Sequence, residues 1–171
     1  MRDQLIIRLT ENAPEQVSWV RLSEVNALPE ISHGQLREAG ESQVGAQVVV
    51  LAPATDVLHS TAKVPTQNKS RLLKAVPYAL EEELAADVEL LHFAIGKPDS
   101  SGQVKVAVVE RSLMDSWLQM LADAGISTDI IISEQSLVPI ADNSWSLVLD
   151  GNIALLQAAD YQGMVADVEN L

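Results

Sequence analysis

Residues 74–93 read Lys74-Ala75-Val76-Pro77-Tyr78-Ala79-Leu80-Glu81-Glu82-Glu83-Leu84-Ala85-Ala86-Asp87-Val88-Glu89-Leu90-Leu91-His92-Phe93. Leu72, Val76, Leu80 and Leu84 recur at steps of four, the spacing of a single helical stripe, which predicts a helix from about Ser70 to Ala86. Pro77 lies in its middle, lacks an N–H and predicts a kink or a break into two helices. Five acids fall within positions 81–89, directly after the basic approach of Lys69, Arg71 and Lys74. Such runs are ordinarily the solvated face of an amphipathic helix. Acids near a helix C-terminus oppose the macrodipole, however, a small cost that favours a functional or tertiary reason for keeping them.

On either side, short β-branched runs read as strands: Leu5 to Leu9, Val17 to Leu22, Val48 to Ala52, Val57 to Val64, Leu90 to Ile95 and Val104 to Val109. Asp129 to Ile132, Trp145 to Leu149 and Ile153 to Ala158 follow. The runs at Val48 and Val104 are apolar at successive positions, as expected of central strands covered on both faces. Asp150-Gly151-Asn152 marks a hairpin turn, since glycine tolerates positive φ. A second helix is expected from Ser112 to Ala124, with Leu113, Trp117, Met120, Leu121 and Ala124 on one stripe. Ser112 with Asp115 resembles a capping box and Gly125 supplies the stop. The alternation of strands and helices is a mixed α/β pattern, neither a bundle nor an all-β sandwich. Pro139 and the turn cluster Ala141-Asp142-Asn143-Ser144 place a boundary near 140, giving a first lobe over 1–140 and the opening strands of a second over 141–171. So thin a second lobe suggests a fragment of a longer protein.

The chain has 171 residues, 47% hydrophobic, with 24 acids against 11 bases and a net charge of −13. All 11 bases lie no later than Arg111, together with 15 acids, and the remaining nine acids follow without a Lys or Arg. The last 60 residues therefore carry −9, a candidate docking face for a basic partner. Such a balance repels nucleic acid and anionic lipid, whose affinity for proteins comes mainly from cations. With no cysteine, disulfides and thiolate catalysis are excluded. The N-terminus is no secretory signal and no stretch of 18 apolar residues occurs, so no insertion of this segment into a membrane is expected.

Chemistry-bearing motifs are missing. His33, His59 and His92 are far apart and match no zinc spacing, so no metal is expected. There is no G-x-S-x-G, no G-x-x-x-x-G-K-[ST] and no G-x-G-x-x-G, and the eight glycines stand singly. A phosphate cradle needs clustered backbone N–H groups that glycine lets approach closely. Neither catalysis nor a cofactor is expected.

The stretch from Lys74 to Phe93 resembles the signature of GspL, the L protein family of type II secretion, whose members show a run like L-P-[FY]-x-L-E-[ED]-x-[LV]-A-x-D-V-E-x-L-H. Val48 to Ala54 with Val64-Pro65, Glu110-Arg111 with Trp117-Leu118, and Leu137-Val138-Pro139 are similar to the family's pattern too, so the resemblance covers roughly residues 3–165. It implies the cytoplasmic part of a single-pass inner-membrane protein, at the cytoplasmic face of the bacterial inner membrane. It implies a ribonuclease-H-like lobe of the actin-like ATPase superfamily, followed by the start of a second. Actin-like ATPases carry a D-x-G-type turn between their first two strands. Here the matching turn, Thr10-Glu11-Asn12-Ala13-Pro14, has no glycine and an added proline, which takes away the route to catalysis.

The resemblance further implies a non-catalytic scaffold that holds the secretion ATPase GspE, through its N-terminal domain, at the membrane platform alongside GspM, GspF and the pseudopilus machinery. Pairing with a second copy stays open. So do two other readings: a nucleotide-responsive actin-like module, and a scaffold like the related PilM of type IV pili with a different ATPase. From chemistry alone, Glu81, Glu82, Glu83 and Asp87 are the candidate partner-binding residues, meeting Arg or Lys on the ATPase.

Overall fold

The computed structural model describes residues 3–11, 15–23, 29–128, 130–159 and 162–171. Its strands and helices, in chain order, are β1 (Gln4–Arg8), β2 (Gln16–Leu22), β3 (Ser32–Gln35), α1 (Leu36–Glu41), β4 (Gln47–Ala52), β5 (Leu58–Lys63) and α2 (Lys69–Leu80). Then come β6 (Leu91–Ile95), β7 (Gln103–Glu110), α3 (Arg111–Asp123), β8 (Ile130–Ser133), β9 (Ser146–Asp150), β10 (Ile153–Ala159) and β11 (Gln162–Asp167). Parts of three expectations, the turn residues 12–14, Asp129 and Asp160, lie outside the described residues.

Packing divides the chain into two units, residues 1–56 with 115–134, and residues 57–114 with 135–171. The expected division near 140 follows chain order. The division by packing cuts across it, because β8 returns to pair with β4 far back in the chain. The turn cluster that suggested the boundary is present: Ala141 and Ser144 form an isolated bridge and Asn143 has φ 56°.

The first unit is built on a five-stranded sheet in the order β3-β2-β1-β4-β8. β1 pairs antiparallel with β2 and parallel with β4, and β4 pairs parallel with β8. Leu5, Ile7 and Val50 are fully buried in it. Leu36 and Ala39 of α1, and Trp117 and Leu121 of α3, are buried as well. Each of the Leu, Ile and Val side chains among these contributes roughly 1.5–3 kcal/mol over its exposed state. Gly40 is small for a reason: a Cβ there would lie 3.0 Å from the Ala124 carbonyl oxygen.

In the second unit, β5-β7-β6 form one antiparallel sheet and β11-β10-β9 another. Leu72, Val76 and Leu80 of α2 join Val104, Val106 and Val108 of β7, with Ala62 and Leu91, in one apolar core. β7 departs from expectation over its first half, where one face is open to water, although Val109 further along that face is buried. Its buried valines alternate with exposed Gln103 and Lys105, since a three-stranded antiparallel sheet with one helix leaves a face to water.

The helix α2 ends at Leu80, six residues short of the expectation, and passes through Pro77 without splitting. Asn68 caps its start, the side chain accepting from the Arg71 N–H at 3.2 Å. In α3, Ser112 lies inside the first turn and is not the cap, because the helix begins at Arg111. Gly125 does end it, with φ +71°. At the Gly151-Asn152 turn only Gly151 has positive φ, 58°, the pattern of a type II′ hairpin. Three elements gave no sequence signal. β3, Ser-His-Gly-Gln, has no β-branched residue and is held by β2; α1 is too short for periodicity; β11 pairs onto β10.

Candidate functional site

Beyond Leu80 the chain turns tightly. Glu81–Glu83 form a 3-10 turn, closed by the Leu84 N–H donating to the Glu81 carbonyl at 3.3 Å. Val88–Leu90 form another, the Leu90 N–H donating to the Asp87 carbonyl at 2.9 Å. Leu80, Val88 and Leu91 are buried and Leu84 packs on the same core. These apolar residues pin the segment at four points and leave the polar ones nowhere but outward. Glu81, Glu82, Glu83 and Asp87 are accordingly all exposed. The Ser60 hydroxyl of β5 donates to Glu83 at 3.4 Å, which steadies one carboxylate of the four.

The structure thus places all four sequence-predicted residues on one short stretch that follows the C-terminus of α2. Three negative side chains there oppose the helix dipole, a small destabilisation that a cationic partner would relieve. Tyr78, 63% exposed in the last turn of α2, and Leu90, 60% exposed, add apolar surface along the same segment. Chemically this stretch can pair with Arg or Lys and offer an aromatic ring; it holds no nucleophile with an adjacent base.

The acids of residues 112–171, the rival docking face, divide between the two units. Asp115, Asp123 and Glu134 belong to the first unit and Asp142, Asp150, Asp167 and Glu169 to the second. Glu134 is engaged inside its own unit, accepting from the Arg8 guanidinium. That ion pair stands at the carboxyl ends of β1 and β8, the edge at which open α/β sheets hold ligands. Beside it the Thr10 hydroxyl donates to the Gln16 carbonyl at 2.7 Å. A cleft of about 360 Å³ in the first unit, lined by Glu15, Leu36, Arg37, Met120 and Asp123, mixes both charge signs and presents no convergent set.

His33 lies on β3, His59 on β5 and His92 on β6, and among the described residues no group of three potential ligands could hold a metal. No described helix is long and apolar enough to cross a membrane. Gln135 and Gln157 belong to no motif in the sequence. Both are buried, and the Gln135 amide donates to Gln157 Oε1 at 2.5 Å and to the Leu156 carbonyl at 2.8 Å. The only sequence signal was a glutamine inside the apolar run 153–159; the pair fixes packing.

Comparison with known proteins adds to this geometry. The family model of "Type II secretion system (T2SS), protein L" matches residues 5–171. The type II secretion system protein L of Dickeya chrysanthemi is 30% identical over 178 residues, covering 97% of this chain and 42% of its own. That of Pectobacterium carotovorum subsp. carotovorum is 29% identical over 168 residues, covering 95% and 39%. The chain thus spans about two fifths of the length of the curated relatives it matches. Among solved structures, the cytoplasmic domain of EpsL, an inner-membrane component of the type II secretion system of Vibrio cholerae, superposes with a TM-score of 0.82 at 24% identity. That match covers 99% of this chain and 73% of the other. A Bacteroides thetaiotaomicron protein of actin-like ATPase fold and unknown function gives 0.52 at 8% identity, covering 97% and 70%. The mixed α/β, actin-like expectation therefore holds.

Proposed function

The chain belongs to the type II secretion system protein L family, and from that premise we propose that it is a non-catalytic scaffold of the secretion machine's inner-membrane platform. It recruits the secretion ATPase GspE, by that protein's N-terminal domain, to the cytoplasmic face of the membrane, alongside GspM and GspF. The observation that carries this reading is the match of the family model over residues 5–171. Glu81, Glu82, Glu83 and Asp87 are the proposed contact, because they are exposed on one short stretch and anchored by buried neighbours rather than by each other. Charge-assisted pairs at such a surface set register and association rate more than affinity.

Calorimetric titration of the isolated GspE N-terminal domain into this chain tests the proposal. Micromolar or tighter binding that weakens between low and moderate salt is expected. The paired reversal Glu82→Lys with Asp87→Lys should weaken it at least tenfold with the fold intact, since both side chains are exposed. Binding that ignores the reversal would move the contact elsewhere, and no heat at any salt would remove the ATPase as partner. The nucleotide-responsive reading makes a different demand. It requires a rise in melting temperature with Mg-ATP, about 2.7 kcal/mol of added stability at a hundred times the dissociation constant. The scaffold reading expects no shift.

A further inference from the structure

The helix α2 carries its charges against its own dipole at both ends. Lys69 and Arg71 stand in its first turn, where unsatisfied N–H groups already concentrate positive charge, and no acid accompanies them. Glu81, Glu82 and Glu83 follow its last turn, where unsatisfied carbonyls concentrate negative charge, and no base accompanies them. A helix charged for its own stability has the opposite arrangement.

These charges share one face. Leu72, Val76 and Leu80 turn into the core. On the opposite side Arg71, Lys74, Tyr78 and Glu81 follow one another at steps of three, four and three, the spacing of a single helical stripe, and all four are exposed. Glu82 follows, exposed as well. Nothing inside the molecule accounts for this order, because among the described residues no ion pair engages Arg71, Lys74, Glu81 or Glu82. Along the stripe stand two bases, an aromatic ring and then acids.

A stripe of that kind is complementary to itself. Turned about a two-fold axis at Tyr78, a second copy of the helix runs antiparallel to the first. Lys74 and, one turn further out, Arg71 of one copy then face Glu81 and Glu82 of the other, and the reverse. The mismatch within one helix becomes a match between two: the bases of each lie against the other's negative end, and the acids against its positive end.

We infer that α2 pairs antiparallel with α2 of a second copy of this chain, through Arg71, Lys74, Tyr78, Glu81 and Glu82. A helix of 12 residues is only about 18 Å long, so the interface is small and reversible. Tyr78 at the axis supplies its aromatic centre. A copy paired in this way has Glu81 and Glu82 covered, so pairing and the proposed ATPase contact exclude each other. The inference rests on the order of charges along α2 and not on the ATPase reading.

Sedimentation equilibrium of the chain at up to about 1 mM, in about 150 mM salt, tests it, since long-range repulsion between the −13 chains is screened there while touching charges still attract. Reversible dimers are expected. Two double variants, Arg71→Glu with Lys74→Glu and Glu81→Lys with Glu82→Lys, should each associate at least tenfold more weakly than the parent, because like charges then face each other. Mixed one to one, the two variants should pair with each other as the parent pairs with itself, since every opposed charge is again attractive. The mixed pair carries the same total charge as two parent chains, so general repulsion is held constant. Circular dichroism checks that both variants, altered only at exposed positions, keep the parent's fold. A parent chain that stays monomeric at the highest concentration would overturn the inference. So would variants that self-associate as the parent does, or that fail to pair when mixed. No ATPase enters these mixtures, so the ATPase reading stands or falls separately.

Discussion

Single residues account for much of the local order, and Asp99 shows how. Its carboxylate accepts from the Ser101 hydroxyl at 2.7 Å, the Ser101 N–H at 2.8 Å and the Gln103 N–H at 2.9 Å, folding the loop between β6 and β7. These donors, the Ser101 hydroxyl foremost, hold its carboxyl below the usual carboxylate range. A folded-state value lower than the unfolded one stabilises the fold above the unfolded pKa, near 3.9, and is lost as pH falls through the folded value. Asp99→Asn should thus melt below the parent at neutral pH, with the gap closing on acidification below about pH 4. A gap of constant size down to pH 2 would mean that charge has no part in it. All three donors belong to Ser101 and Gln103, within four residues of Asp99, so the loop is closed by local contacts.

At the scale of elements, α2 and the sheet β5-β7-β6 depend on one another. Leu80, 1% exposed, is the last apolar residue of the helix and ties the acidic stretch to the core. Leu80→Ala should cost about 2–5 kcal/mol in denaturant unfolding. It should also weaken the proposed ATPase contact, by loosening Glu81–Glu83. A loss under 1 kcal/mol would mean that Leu84 and Val76 hold the segment without it. The stripe of leucines predicted this helix correctly. Its early end was hidden, because Leu84 continues the stripe although the backbone has already tightened into a 3-10 turn at Glu81. Pro77 does not break the helix, since neighbours that pack it compensate for one lost backbone bond.

At the scale of the molecule the −13 charge governs encounter. Association with a basic partner should slow steeply with ionic strength while dissociation changes little, which stopped-flow measurements between about 20 and 300 mM salt would resolve. Equal rates across that range would mean an apolar contact, with Tyr78 and Leu90 the first residues to substitute.

Order along the chain by itself determined the mixed α/β class, nine of the strands and the exposed acidic stretch, because strand and helix periodicity and local charge are written in neighbouring residues. The same residues carried the family resemblance. Only the tertiary structure decided that β8 returns to β4, that two packing units cut across chain order, and that four residues without strand propensity form β3. Those outcomes are pairings between residues 80 or more positions apart, or edges imposed by a neighbouring strand, and no local pattern encodes them. The acids of the last 60 residues make the same point: adjacent in sequence and alike in charge, they divide between two units because packing, not charge, sorts the chain.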